Sequence, residues 1–107
     1  MLFRSLVGLG LLEKSKVASQ DPDRPLYKQY FMHGTSHHLG LDVHDVTLAH
    51  RPLEAGMVLT VEPGIYLPGE GFGVRLENDI LIGAEGNIDL MADVPIEPDE
   101  IEDLMNL

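Results

Sequence analysis

Five histidines crowd into the stretch HGTSHHLGLDVHDVTLAH, at positions 33, 37, 38, 44 and 50, and none lies elsewhere in the chain. Imidazoles gathered this closely, among glycines that let backbones approach, serve metal ligation, acid–base chemistry or a satisfied polar core. Two carboxylates downstream are natural partners: Glu62 in VLTVEPG and Glu77 in VRLEND, both in apolar, strand-like surroundings. A carboxylate buried there without a partner is strongly unfavourable. The helical zinc-protease signature is absent, because Gly34 stands where the glutamate between His33 and His37 would be. One imidazole with two carboxylates is instead a hard, oxygen-rich donor set, suited to manganese, cobalt or zinc at a two-metal site. The plainer readings stay open on spacing alone. The Pro63-Gly64 turn could expose Glu62 to water, and Glu77 could belong to a solvated strand face with Arg75 and Asp79.

The elements that must position these groups follow from pattern. Leu2, Leu6 and Leu9 recur at helical period from the very start of the chain, at Met1, and Gly8 and Gly10 predict a helix end near Gly10. Lys14 to Pro25 is polar and broken by prolines, hence a loop or short helical turn. A helical turn is expected near Ser36 to Leu39, then extended chain from Leu41. Met57 to Glu62 and Ile65 to Leu67 read as strands divided by Pro63-Gly64, and since proline cannot donate to a ladder Glu62 either ends its strand or sits at a bulge. Phe72 to Ile82 alternates most cleanly, with Phe72, Val74, Leu76, Ile80 and Ile82 on one face and Arg75, Glu77 and Asp79 on the other. A last strand is expected near Ile88 to Met91. Pro98, Asp99 and Glu100 then open a terminal helix that would bury Ile101, Leu104 and Met105. The sum is an α+β fold: antiparallel strands with helices at both chain ends.

At 107 residues the chain has the size of one domain. Its net charge is −11, and 10 of its 18 acidic residues follow Arg75, the last cation. That distribution argues against nucleic acid and anionic membrane as partners, since phosphate binding needs clustered cations. With no cysteine there is no disulfide and no thiolate ligand. The apolar run Leu6 to Leu12 is at the short limit for a signal core and is interrupted by Glu13, Lys14 and Lys16 before any plausible cleavage site, and no stretch is long enough for a membrane span. A cytoplasmic protein is expected.

Three motifs in order, HGTSHHLGLDVHDV, LEAGMVLTVEPGIYLP and GFGVRLENDILI, resemble the C-terminal part of the Xaa-Pro aminopeptidases, of the pita-bread metallopeptidase family. The resemblance implies that residues 1–107 are the second half of a pita-bread catalytic domain with a curved antiparallel sheet. It implies that His37, Glu62 and Glu77 ligate two divalent ions, with manganese the first choice and zinc or cobalt the others. Glu62 would also act as general base and Glu77 would bridge the metals. His33 and His44 match histidines that handle substrate and protons, and Arg75 an arginine beside the metal carboxylates. His38 and His50 match no functional position. The substrate implied is a peptide with proline in second position, attacked by a water acidified between the metals.

The family's site also takes two aspartates from an earlier strand motif, which nothing before His33 matches. The expectation is therefore a fragment with weak or no peptidase activity of its own. An apolar surface left uncovered would favour a homodimer or pairing with the missing N-terminal half. Rival readings are an Xaa-Pro dipeptidase segment, a metal-free creatinase-type enzyme, disfavoured by the three ligand positions, and a non-catalytic binding or structural module.

Overall fold

The computed structural model describes residues 2–47 and 50–106. Met1, where the leading helix is expected to begin, lies outside them. The elements in chain order are α1 (Leu2–Gly8), α2 (Lys14–Ala18), a 3-10 helix (Leu26–Gln29), β1 (His38–Leu39), β2 (Val58–Val61), β3 (Gly64–Leu67), β4 (Phe72–Arg75), β5 (Asn78–Leu81), β6 (Ile88–Asp89) and α3 (Pro98–Met105). Their contacts divide the chain into two compact units, Met1–His33 with Gly64–Val74, and Gly34–Pro63 with Arg75–Leu107. Each unit is thus assembled from two separate stretches of sequence.

The first unit is built on an apolar core. Helix α1 stops where the glycines foretell: Gly10 takes φ +74, and the amides of Leu11 and Leu12 both return to the Leu6 carbonyl, at 2.9 and 3.2 Å. That reversal folds the chain back on itself, and Leu6, Leu12 and Phe31 are the buried apolar residues among those described. The Phe3 ring meets Tyr27 of the 3-10 helix edge-on at 5.3 Å. Strands β3 and β4 form a two-stranded sheet, and the Tyr66 amide donates to the Tyr30 carbonyl at 2.9 Å. Gly73 is required there, because a Cβ would meet Tyr66 Cδ1 at 2.6 Å.

The second unit is organised by an antiparallel four-stranded sheet in the order β1-β2-β5-β6. Register pairs His38 with Leu59 on one side of β2 and Thr60 with Asp79 on the other. The two edges are strands of only two residues, which keeps little unpaired backbone on offer. Entry to β2 is set by Gly56, at φ +93, whose amide donates to the Ile82 carbonyl at 2.8 Å. In the same turn Arg51 forks onto Glu54, and that hydrogen bond and the carboxylate charge raise the guanidinium above its ordinary pKa.

Four expectations need correction. The segment expected to make a helical turn, Ser36 to Leu39, instead ends in strand β1, because pairing with β2 satisfies its backbone. Chain from Leu41 bends rather than extends. The alternation from Phe72 to Ile82 is not one strand: it breaks at Leu76-Glu77, and β4 and β5 belong to different sheets. Lastly, α3 forms as read, but Ile101, Leu104 and Met105 are 37, 52 and 81% exposed, since an amphipathic face is buried only where another surface meets it.

Candidate metal centre

Strand β2 and the residue just past its end supply the frame. His37 lies one residue before β1 and is tied to Thr60 twice: the Thr60 amide donates to the His37 carbonyl at 3.0 Å, and the His37 amide donates to Thr60 Oγ1 at 3.1 Å. Glu62 comes directly after the last residue of β2, as Pro63 demands, and its amide donates to the Thr35 carbonyl at 2.9 Å. Period-two geometry sets Thr60 and Glu62 on one face, and the Thr60 hydroxyl donates to Glu62 Oε1 at 3.3 Å. Both residues are buried, at 1 and 8% exposure.

The break between β4 and β5 delivers the rest. Leu76 donates its amide to the Pro63 carbonyl at 3.2 Å, and Glu77 comes next, outside either ladder. Arg75 reaches Glu62 Oε2 at 3.4 Å and Glu77 Oε2 at 3.3 Å, holding the two carboxylates beside one guanidinium. His37, Glu62 and Glu77 each present one donor atom, and these lie within 4.8 Å of one another.

His37 Nδ1 lies 3.0 Å from the His38 carbonyl oxygen, which can only accept, so Nδ1 carries the proton and donates. Nε2 then faces Glu62 Oε1 at 3.3 Å. Two lone pairs aimed at one gap are the arrangement in which both atoms can ligate a shared cation. A carbonyl that orients the far nitrogen of an imidazole is the usual outer support of a metal-bound histidine. Nitrogen with two carboxylates suits a divalent ion, so the residues present fit the group that the resemblance implies.

His44 is exposed and its ring lies over His37, with centroids 4.1 Å apart and planes inclined by 34°. Asp45 shapes the loop that carries it: its amide donates to the His38 carbonyl, while its carboxylate accepts from the amides of Leu41 and Val46, at 3.1 and 2.8 Å. Gly40 is needed for this, because the Asp45 carboxylate occupies the space a Cβ would take. His33 belongs to the first unit, where Nε2 lies 2.7 Å from the Tyr66 hydroxyl and the ring packs on Phe31 at 4.6 Å. Of the remaining histidines, His38 is half-buried in β1 and His50 is exposed with φ 71.

Sequence pattern alone did not single out Thr60 or Tyr66. Thr60 was legible in principle, standing two positions before Glu62 in a strand and so on the same face. Tyr66 carried no comparable signal, because its contact with His33 spans 33 positions.

Known proteins resemble the chain both in sequence and in architecture. A model of metallopeptidase family M24 matches residues 8–84. The chain is 44% identical over 119 residues to the Xaa-Pro aminopeptidase of Escherichia coli (strain K12), an alignment covering 98% of this chain and 26% of that relative. It is 40% identical over 93 residues to the mitochondrial intermediate cleaving peptidase 55 of Arabidopsis thaliana, covering 78% of this chain and 19% of the relative. Among solved structures, zinc-substituted E. coli aminopeptidase P in complex with product matches with a TM-score of 0.78 and 43% identity, over 98% of this chain and 26% of that one. Proline aminopeptidase P II from Yersinia pestis matches equally, with a TM-score of 0.78 and 43% identity over 98% of this chain and 27% of that one. The α+β pita-bread architecture expected from the resemblance is shared with these structures. The chain spans about a quarter of the length of these E. coli and Y. pestis proteins.

Proposed function

The chain belongs to metallopeptidase family M24, and from that premise we propose that residues 1–107 are the second half of an Xaa-Pro aminopeptidase catalytic domain, supplying three ligands of a dinuclear centre. The observation that carries the reading is the meeting of His37, Glu62 and Glu77 donor atoms within 4.8 Å from three separate stretches of chain. Divalent ions, manganese first, would contribute Lewis acidity and a more acidic bound water.

The chain's own residues have distinct tasks in this scheme. His37 offers Nε2 because its Nδ1–H is committed to the His38 carbonyl. Glu62, buried and held on both oxygens, is a ligand of fixed orientation and the base nearest the centre. Glu77 bridges. Arg75 offsets the repulsion between the two carboxylates and keeps them turned toward a common point. His44, exposed above His37, has a ring nitrogen to donate to an oxyanion developing on the substrate. His33, whose Nε2 lies 2.7 Å from the Tyr66 hydroxyl within the first unit, would take the substrate-handling role that the resemblance implies.

Three ligands bind a metal pair less tightly than five, so the isolated chain has weak or no turnover. Full activity requires the remaining two aspartates, supplied by the preceding half of the domain. No helix among the described residues is long and apolar enough to cross a membrane. A cytoplasmic setting belongs to the same reading.

Calorimetric titration with manganese tests the core of this proposal. The wild-type chain should bind the ion and the His37→Ala variant should lose that binding. No metal uptake by the wild type overturns the ligand assignment. A chromogenic Xaa-Pro substrate with added manganese tests the second part, and turnover at the rate of a full-length relative would contradict the half-site reading.

A further inference from the structure

We propose that the Thr60 hydroxyl is a positioning group that ties the His37 backbone to the Glu62 carboxylate and so sets the spacing of those two ligands; this rests on the metal-binding role of His37 and Glu62. Thr60 sits at the centre of β2, between β1 and β5, and at 1% exposure its hydroxyl has no water to turn to. A buried strand position of this kind is ordinarily served by valine, and the hydroxyl is unfavourable unless both its capacities are used. Both are used. It accepts from the His37 amide at 3.1 Å and donates to Glu62 Oε1 at 3.3 Å.

The consequence is geometric. Glu62 Oε1 is the oxygen that faces His37 Nε2 at 3.3 Å, so the hydroxyl holds the oxygen that would share a cation with the imidazole. Arg75 holds the other oxygen at 3.4 Å. With one oxygen on a hydroxyl and the other on a guanidinium, the carboxylate cannot rotate freely about its last bond. A threonine is the suitable carrier, because its branched Cβ restricts χ1 and aims the hydroxyl without further support. The same hydroxyl grips the amide of the residue that carries the imidazole. One buried oxygen therefore registers the nitrogen ligand against the oxygen ligand before any cation arrives. Partners of this kind typically change metal affinity by about 10- to 100-fold when removed.

The test uses the 107-residue chain, manganese as the titrant, and exchange of the His37 amide followed by NMR without metal. Thr60→Val should raise the manganese Kd by about 10- to 100-fold and release the His37 amide to fast exchange, while Thr60→Ser should restore both. Unchanged affinity and unchanged exchange in a folded Thr60→Val variant would overturn the proposal. If the valine variant fails to fold, Thr60→Ala removes the same hydroxyl with less bulk, and fast exchange of the His37 amide in the wild type itself would be equally fatal. A wild type that takes up no manganese sinks the metal reading instead, and the amide exchange then decides Thr60's hold on its own.

Discussion

The two units spend their burial differently. Among the described residues, the buried side chains of the first unit are Leu6, Leu12 and Phe31, and those of the second are Thr60 and Glu62. One is held by apolar surface withdrawn from water, the other by ladders and by polar atoms that each found a partner; no buried side-chain nitrogen or oxygen among the described residues lacks one. The difference teaches where tolerance lies. An apolar core loses stability in proportion to what is cut from it, whereas a polar network loses most when one member is removed and its partner is stranded.

The largest effect should come from the apolar core. Leu6→Ala should cost the first unit about 3 kcal/mol, read by urea unfolding followed through tyrosine fluorescence. All three tyrosines, Tyr27, Tyr30 and Tyr66, lie in that unit and the chain has no tryptophan, so the signal is specific to it. His37, His38, His44 and His50 report the second unit by NMR. If their resonances melt at the same urea concentration as the tyrosine signal, the two units unfold as one and the contrast between them is one of composition only.

Next comes the network. Arg75→Met strands two carboxylates and should cost about 2 kcal/mol, less than a fully buried pair because Arg75 is itself 48% exposed. Millimolar manganese should recover part of that loss; a loss that manganese does not touch would separate the guanidinium's role from the cluster. Gly40→Ala should cost about 1 kcal/mol by displacing the Asp45 carboxylate. It should also shift the His44 ring resonances, since the ring stacked at 4.1 Å on His37 leaves its place. Unmoved His44 signals would show that Asp45 does not shape that loop.

The smallest change is expected at α3. Leu104→Lys replaces a residue already 52% exposed and should alter stability by less than about 0.5 kcal/mol. Light scattering at high concentration gives it a second use. A wild type that self-associates and a variant that does not would mark this helix as a contact surface, and a wild type that stays monomeric would count against homodimerisation.

Sequence pattern made the elements legible where their causes are local. Gly8 and Gly10 stopped α1, Pro63 ended β2 before Glu62, and Pro98 opened α3, because each acts on the backbone at its own position. The alternation from Phe72 to Ile82 misled for the complementary reason: period two records which residues can share a face, and nothing in it says that the ladder must continue past Leu76.

The chain's own letters determined the cast: histidines confined to one stretch, two carboxylates in apolar company, three motifs in family order, and the element boundaries set by Gly8, Pro63 and Pro98. Tertiary structure alone decided which members meet. The registers of β1, β2 and β5 brought His37, Glu62 and Glu77 within 4.8 Å, put a buried hydroxyl between the first two, and left Ile101, Leu104 and Met105 exposed. Those outcomes depend on contacts between residues far apart in sequence, whose free energy is settled by how strands pair and surfaces fit, and no local period carries that information.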